Sequence, residues 1–269
     1  MVEVNHSLTF EIAGLGIKAN LHPPDIIESL RKRYKEFPLK TIPTLQVDVH
    51  LSGQVRTSAM QDAGMIFREG ELRFMSPGFE GYIREGAGKG QLSLSSQQPV
   101  EDLEYFFRVA YALLAFQAGG IILHAAGIVR ASQAYLFFGH SGSGKTTVSR
   151  LSSNDLVLND DLLILMPTQI GWQVFGTPFW NPTQVKPAPQ QAALAGLFRL
   201  VQDSQVYLEE MSPSETLAEL IANVPVIPAD SGRASRLIER LKDILDAAPV
   251  KRLHFLPDLS FWDVIAPPQ

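Results

Sequence analysis

The sequence predicts an α/β fold in which a β-rich α+β domain over residues 1–98 precedes a second domain over residues 99–269. Apolar and polar residues alternate singly in several segments of the first hundred residues, whereas helical repeats and apolar strands alternate after them. A glycine-rich segment at residues 139–147 stands between a short apolar run and a helical pattern, which places it in a loop of the second domain.

Strands dominate the first predicted domain. Apolar and polar residues alternate over residues 45–51, which is the period of a half-exposed strand. Residues 65–75 contain two strand-like segments on either side of Glu69-Gly70, and this pattern predicts a hairpin that turns at these two residues. Shorter runs over residues 79–83 and 91–94 predict further strands of the same sheet.

One helix is predicted in this domain. It begins after Pro23-Pro24, because proline is tolerated in the first turn of a helix. Its basic residues, at positions 31–33 and 35, are typical of a solvated helix face, with an anion-binding patch as the alternative. The residues 86–99 carry a single charge and mark the predicted domain boundary. The apolar residues expected to face the core are Ile26, Ile27, Leu30, Tyr34 and Phe37.

The composition excludes several classes of protein. With 269 residues, 45% hydrophobic and 19% charged, the chain can form a folded core and is not a disordered sequence. A net charge of −5 argues against a nucleic-acid binder, which needs basic residues to replace the counterions of phosphates. Cysteine is absent, and the first residues lack the pattern of a secretory signal, so we expect a cytoplasmic protein.

An uncharged run over residues 109–129 is long enough to span a bilayer. Gly119-Gly120 interrupts it, however, and His124 lies within it. The apolar spacing before the glycines is helical, and the residues after them form a continuous apolar run typical of a buried strand. A core helix, a glycine stop and a core strand explain the run, so we expect no membrane partner.

The glycine-rich loop is the strongest functional signal. Residues 135–138 read as a short apolar strand, and the residues after them fit Gly-x-x-x-x-Gly-Lys-Ser/Thr, the pattern of a phosphate-binding loop. Glycines let backbone N–H groups curl around a phosphate, Lys145 reaches the β- and γ-phosphate oxygens of a nucleotide, and Thr146 ligates Mg²⁺. The predicted nucleotide site comprises Gly139, His140, Ser141, Gly142, Ser143, Gly144, Lys145, Thr146 and Thr147.

Two carboxylates end the next apolar run. Asp160 and Asp161 follow Leu-Val-Leu-Asn, 15 and 16 residues after Lys145. An acidic strand end beside a phosphate loop can hold Mg²⁺ or orient the attacking group. Neighbouring side chains of a regular strand point to opposite faces, so we expect different roles for the two carboxylates. The alternative is that Asn159 and Asp160 are ordinary turn residues that end the strand.

Taken together, these residues resemble the catalytic domain of the HPr kinase/phosphorylase family and its shorter HPr kinase-like relatives. His124, in Leu-His-Ala-Ala-Gly, precedes Gly139 by 15 residues, the spacing at which that family places its active-site histidine. The phosphate loop and the pair Asp160-Asp161 follow in the family's order. The segment Gly176–Trp180 is similar to one that follows this pair in the short relatives, and residues 250–262 are loosely similar to their C-terminal end.

The resemblance implies a kinase fold related to phosphoenolpyruvate carboxykinase and transfer of the ATP γ-phosphate to a serine hydroxyl. By their motif positions, Lys145 and Thr146 take the phosphate and metal roles. Asp161 takes the proton-accepting role, since a carboxylate within hydrogen-bond reach can collect the proton of the acceptor hydroxyl. His124 is expected beside the phosphates or carboxylates, the alternative being a core histidine bonded to a backbone carbonyl. The family's hexamers are a reason to expect self-association.

The chain also departs from the family. The family's glutamate metal ligand has no counterpart, because residues 179–183 read Phe-Trp-Asn-Pro-Thr, so Asp160 would complete the Mg²⁺ shell alone or through water. The first domain differs from that of the full-length HPr enzymes, which leaves the acceptor open among a protein, a peptide and a small molecule. A nucleotide-binding regulatory or accessory module without phosphotransfer is the alternative function, and an ATP hydrolase is the third.

The distribution of charge fits a catalytic second half. Residues 1–100 carry 11 basic and 11 acidic side chains, whereas residues 101–269 carry 12 basic and 17 acidic side chains. The whole acidic excess therefore lies in the part of the chain that contains the phosphate-loop pattern. Asp160 and Asp161 contribute to this excess. We expect a neutral recognition domain joined to an acidic, metal-using one.

Overall fold

The computed structural model describes residues 6–52, 64–76, 78–179, 185–225 and 231–265. Within them the chain forms a mixed α/β fold with two large mixed β-sheets and six helices. It divides into two compact units: Met1–Leu114 with Val226–Arg233, and Ala115–Pro225 with Ala234–Gln269. No helix in the described ranges combines the length and the apolar composition that crossing a bilayer requires.

The first unit is built on a seven-stranded sheet in the order β1-β2-β3-β7-β6-β5-β4. The strand over residues 45–51 and the hairpin that turns at Glu69-Gly70 are confirmed, and both turn residues have the left-handed backbone that this tight connection requires. The elements are β1 (Ser7–Ile12), β2 (Leu15–His22), α1 (Ile27–Tyr34), β3 (Leu45–Leu51), β4 (Gly64–Arg68), β5 (Glu71–Ser76), β6 (Phe79–Arg84), β7 (Lys89–Leu94) and α2 (Pro99–Gln117).

The core of the first unit lies between one face of this sheet and the two helices. Phe10 of β1 is fully buried, and its ring centroid lies 4.2 Å from that of Tyr34 in α1 and 5.0 Å from that of Phe107 in α2. Tyr111 is also buried, and its hydroxyl donates a 2.8 Å hydrogen bond to the carbonyl oxygen of Leu15. The predicted core face of α1 is confirmed for Ile27, Leu30 and Tyr34. Phe37 is buried beyond the end of the helix, whereas Ile26 precedes the helix and is only half-buried.

The patterns discussed above do not predict β1 and β2. Leu8, Phe10 and Ile12 do alternate with more exposed residues, but the connection to β2 consists only of Ala13-Gly14. Both residues adopt positive φ angles, 54° and 75°, so the chain reverses within two residues. Because Ala-Gly is a weaker turn signal than Asn-Gly or Asp-Gly, this hairpin is hard to recognise from sequence.

The second unit contains an eight-stranded sheet with the path β10-β8-β11-β12-β13-β15-β14, and β9 pairs with both β8 and β13. The pairings β8–β11–β12–β13–β9–β8 close into a circuit of five strands. The elements are β8 (Ile121–Arg130), β9 (Gln133–Phe138), α3 (Lys145–Leu151), β10 (Leu156–Asn159), β11 (Leu162–Thr168), β12 (Gly171–Phe175), β13 (Gln191–Gln202), β14 (Tyr207–Glu210), α4 (Pro213–Ala222), α5 (Ser231–Ala247), β15 (Val250–Phe255) and α6 (Phe261–Ile265).

The uncharged run over residues 109–129 is a helix followed by a strand, as expected. Helix α2 ends at Gln117, and Gly119 takes a φ of 90° before β8 begins. Gly120 cannot carry a side chain without a shift, because an added Cβ would lie 2.4 Å from the carbonyl oxygen of Leu165 on the neighbouring strand. The two glycines therefore stop the helix and let the chain enter the sheet.

Helix α6 packs against the middle of the second unit. Trp262 is 2% exposed, and its indole Nε1 donates a 3.0 Å hydrogen bond to the hydroxyl of Ser152, just after α3. The ring centroid of Trp262 lies 5.7 Å from that of Phe137 in β9, and Phe261 packs against the same ring at 5.8 Å. These contacts tie the C-terminal part of the described chain to the strand and helix that flank the glycine-rich loop.

Replacing Phe10 by alanine should destabilise the protein strongly. The change removes a fully buried ring from an aromatic cluster, which costs about 3–5 kcal/mol of unfolding free energy, measured by urea denaturation with far-UV circular dichroism. Ile42→Ala is the matched control: this side chain is 87% exposed, and its loss should stay within about 0.5 kcal/mol. A Phe10→Ala variant as stable as the control would contradict this account of the core.

Candidate functional site

The glycine-rich segment forms a loop between the end of β9 at Phe138 and the start of α3 at Lys145. Three of its glycines occupy left-handed backbone: φ is 144° at Gly139, 80° at Gly142 and 113° at Gly144. Such angles are costly for residues with a Cβ, so glycine at these positions permits the sharp curvature of the loop. The strand–loop–helix arrangement expected from the sequence is therefore present.

Gly144 has a second constraint, which is imposed by packing. A Cβ on this residue would lie 2.5 Å from the ring carbon Cζ of Phe255, at the end of β15. Phe255 is 2% exposed and belongs to the core cluster that includes Val148 of α3. The ring of Phe255 therefore packs directly against the loop at Gly144, where α3 begins.

Lys145 begins α3 and turns back over the loop. Its Nζ donates hydrogen bonds to the carbonyl oxygens of Gly139 at 2.8 Å and His140 at 3.2 Å. The residue is 8% exposed. Burial lowers the pKa of the Lys145 amine, and the negative charge of Asp161 opposes that shift. The ammonium group is thus held in a fixed position at the mouth of the loop.

The turn after β10 is organised by Asn159, which is fully buried. Its Nδ2 donates to the carbonyl oxygens of Thr177 at 2.8 Å and Phe179 at 3.0 Å. Its Oδ1 accepts the backbone N–H groups of Asp161 at 2.6 Å and Leu162 at 3.1 Å. Asn159 is the last residue of β10, and its amide fixes the backbone of the turn that carries both carboxylates.

The two carboxylates have different surroundings. Asp160 is 1% exposed, and among the described residues neither of its carboxylate oxygens accepts a hydrogen bond of full geometry. Burial is the main cause that raises the pKa of Asp160; the hydroxyl of Thr146 and the backbone of Val185 lie near enough to oppose the rise, and the charge of Asp161 adds to it. A buried carboxylate with unpaired oxygens beside a threonine hydroxyl fits the oxygen ligands that Mg²⁺ prefers.

Asp161 faces His124 on the neighbouring strand. The Nε2 atom of His124 lies 3.2 Å from Oδ1 of Asp161. The backbone supports this pairing, because Ala125 donates its N–H to the carbonyl oxygen of Asp161 and Leu162 is the register partner of His124. The backbone N–H of His124 donates to Asn223 at 2.7 Å, while the imidazole is 40% exposed and reaches a carboxylate, which is not the surrounding of a core histidine.

These groups surround a cavity of about 280 Å³. Most of the residues that line it were predicted as site residues, and they belong to the loop and to the start of α3. A predicted carboxylate, Asp160, and the predicted histidine, His124, also line it. A glutamine from β13, which the sequence analysis did not single out, lies among them. The lining residues are His124, Ser141, Gly142, Gly144, Lys145, Thr146, Thr147, Asp160 and Gln202.

The remaining predicted site residues lie close to the cavity without lining it. Asp161 contacts His124, which lines the cavity. Gly139 and the buried Ser143 shape the loop from within, and His140 is exposed with its Nδ1 bonded to the carbonyl oxygen of Ser141. In the described ranges, no group of three or more His, Asp and Glu side chains is placed to hold a metal ion.

Sequence reasoning missed Gln202 and gave Asn159 too small a part. The Nε2 atom of Gln202 donates a 2.8 Å hydrogen bond to the carbonyl oxygen of Gly142, 60 residues earlier in the chain. No motif marks such a residue, because the parallel pairing of β13 with β9 alone brings it to the loop. Trp180 and most of the residues 179–183 discussed for the missing glutamate lie outside the described residues.

Comparison of the chain with protein-family models and with curated proteins finds no match. The assignment of a function therefore depends on the sequence patterns and on the geometry of the cavity.

Alanine at Gly144 should be more harmful than alanine at Gly142. Both glycines have positive φ, so either change strains the backbone by about 1–2 kcal/mol. Only at Gly144 does the new methyl group also meet Phe255, since nothing lies within 4 Å of a Cβ at Gly142. Thermal denaturation should show a lower Tm for Gly144→Ala than for Gly142→Ala. Equal melting temperatures would show that Phe255 does not support the loop.

Asn159→Ala should destabilise the turn after β10. The change removes four hydrogen bonds that the side chain makes with the backbone of Asp161, Leu162, Thr177 and Phe179, at a cost of about 2 kcal/mol or more. Asn154→Ala, at an exposed position in the preceding turn, is the control and should change the unfolding free energy by less than about 0.5 kcal/mol. Urea denaturation compares the two, and similar values would refute the role given to Asn159.

Proposed function

We propose that the protein is an ATP- and Mg²⁺-dependent kinase that transfers the γ-phosphate to a serine hydroxyl of a protein, a peptide or a small molecule. The observation that supports it best is the cavity in which a glycine-rich loop, Lys145, Thr146 and Asp160 face one space. These are the residue types that phosphate and Mg²⁺ recognition requires, brought together from separate parts of the chain.

The loop would bind the phosphates of the nucleotide. Residues of the loop and of the first turn of α3 line the cavity, and the N-terminus of a helix favours negative charge. The Nζ of Lys145 is already directed over the loop by the carbonyl oxygens of Gly139 and His140, so little of its conformational freedom would be lost on binding. Lys145 supplies the positive charge that balances the phosphates.

Thr146 and Asp160 would hold Mg²⁺. The hydroxyl and the carboxylate lie beside each other, and the two unpaired carboxylate oxygens of Asp160 would gain a cationic partner. The ion, when bound, neutralises charge on the β- and γ-phosphate oxygens. Because Asp160 is buried, a nearby cation would also favour its ionised form.

Asp161 would accept the proton of the attacking hydroxyl. The serine oxygen forms a bond to the γ-phosphorus while the bond from that phosphorus to the bridging β–γ oxygen breaks, so ADP leaves and the hydroxyl proton passes to the carboxylate. His124, 3.2 Å from this carboxylate, would orient it toward the acceptor. Two hydrogen bonds hold Asp161 in place for this step: its backbone N–H donates to Oδ1 of Asn159, and its carbonyl oxygen accepts the N–H of Ala125.

The alternative is a nucleotide-binding regulatory or accessory module that does not transfer phosphate. It is favoured by one observation: in the described part of the chain, no group of three or more His, Asp and Glu side chains is placed to hold a metal ion. A site with few carboxylates could bind the nucleotide and its ion without completing the reaction. An ATP hydrolase, the third reading, would turn over without an acceptor.

Asp161→Asn should separate binding from transfer. The amide keeps the shape of the side chain but cannot accept a proton, so γ-phosphate transfer should fall about 100-fold or more while the affinity for ATP changes by less than about threefold. Transfer is measured with γ-labelled ATP, Mg²⁺ and a serine-containing peptide, and affinity by calorimetry. Asp243→Asn, at an exposed position of α5, is the control and should match the parent chain in both.

Three results would count against the kinase. Transfer by Asp161→Asn at the parental rate would remove the assigned base. Tight ATP binding by the parent chain without ADP formation on free serine, serine peptides or protein acceptors would favour the module. ADP formation that does not depend on any acceptor would favour the hydrolase.

A further inference from the structure

The cavity is lined by residues of the two strands that flank β9, together with the loop that follows it. Strand β9, which leads into the loop, is paired on one edge with β8 and on the other with β13. At the end of β9, Phe138 is the register partner of Ala125 on β8 and of Arg199 on β13. Lining residues from β8 and β13 therefore stand on opposite sides of the loop.

One side of the cavity is acidic. His124 lies on β8, and the turn after β10, which carries Asp160 and Asp161, is attached to the same strand through Asn159 and Ala125. In the proposed function these carboxylates serve the metal ion and the acceptor hydroxyl, both of which belong at the γ-phosphate. The γ-phosphate end of a nucleotide would therefore lie on the β8 side.

On the opposite side, the residue of β13 that lines the cavity is Gln202, which is polar but uncharged. Gln202 is the last residue of β13, three positions beyond the partner of Phe138. The strands β9, β13 and β15 are parallel, and their carboxyl ends meet there, which is where open α/β sheets bind ligands. A neutral amide at this position adds no positive charge to balance the negative charge of the phosphates.

Gln202 keeps hydrogen-bonding capacity for a ligand. Its carboxamide has two N–H donors and one carbonyl acceptor. One N–H is used by the carbonyl oxygen of Gly142, at 2.8 Å, which fixes the side chain against the loop. The side chain is exposed to solvent within the cavity lining, so its other polar atoms can reach the sugar or base of a bound nucleotide.

We propose that Gln202 is the residue that recognises the nucleoside, and that the nucleotide lies across the loop with its γ-phosphate toward β8 and its nucleoside toward β13. This inference rests on the proposed function, because the acidic side identifies the γ-phosphate end. It assigns to the site a ligand with a nucleoside, as opposed to a bare polyphosphate chain.

The test compares ATP with inorganic tripolyphosphate, which has the phosphates and lacks the nucleoside. Calorimetry with Mg²⁺ is carried out on the full chain, on Gln202→Ala and on Gln133→Ala, an exposed glutamine at the other end of β9 from the loop. Gln202→Ala should weaken ATP binding about tenfold while changing tripolyphosphate binding by less than about twofold, because the lost hydrogen bonds to the nucleoside affect ATP alone. Gln133→Ala should bind both ligands like the parent chain.

Each other result overturns the inference in a recognisable way. Equal weakening of ATP and tripolyphosphate would mean that Gln202 acts only by holding Gly142. Unchanged ATP affinity in Gln202→Ala, or equal affinity of the parent chain for the two ligands, would remove nucleoside recognition from this residue while leaving the phosphate loop intact. If the parent chain binds neither ligand, the proposed function itself fails. Melting curves of the variants separate these results from misfolding.

Discussion

Backbone hydrogen bonds on both edges of β9 are the constraint on which the second unit depends. Strand β9 pairs antiparallel with β8 and parallel with β13, which closes a circuit of five strands and leaves its end at one fixed place. The loop must begin there, and the registers bring His124 from one side and Gln202 from the other. The two side chains that flank the loop thus lie on strands, which hold side chains more rigidly than loops do.

A second constraint is that buried polar groups need hydrogen-bond partners within the protein. The buried amide of Asn159 satisfies backbone groups from two segments and so places the turn with the two aspartates. Asp160, one residue later, is almost equally buried, but among the described residues neither of its carboxylate oxygens accepts a hydrogen bond of full geometry. Burying a carboxylate without full hydrogen bonding is costly, so the contrast between the two neighbours supports the metal-binding part that we propose for Asp160.

Much of this arrangement could be predicted from local sequence. The loop, α3 and the helix before Gly119-Gly120 have turn residues and periodicities that act within a few positions, so they were recognisable. Gln202 could not be found in this way, because it meets its partner across 60 residues through parallel strand pairing. The same is true of Asn159, whose carbonyl partners lie 18 and 20 residues away and depend on the path of the chain after β12.

The support of Gly144 by Phe255 has a consequence for the order in which the protein can fold. The N-terminus of a chain leaves the ribosome first, so the glycine-rich loop emerges more than a hundred residues before Phe255, whose ring packs against it. Trp262, which bonds to Ser152 behind α3, comes later still. A nascent chain that already has the complete loop sequence therefore still lacks Phe255, the ring that packs against the loop. The second unit can reach its final packing only after nearly all of its residues have been synthesised.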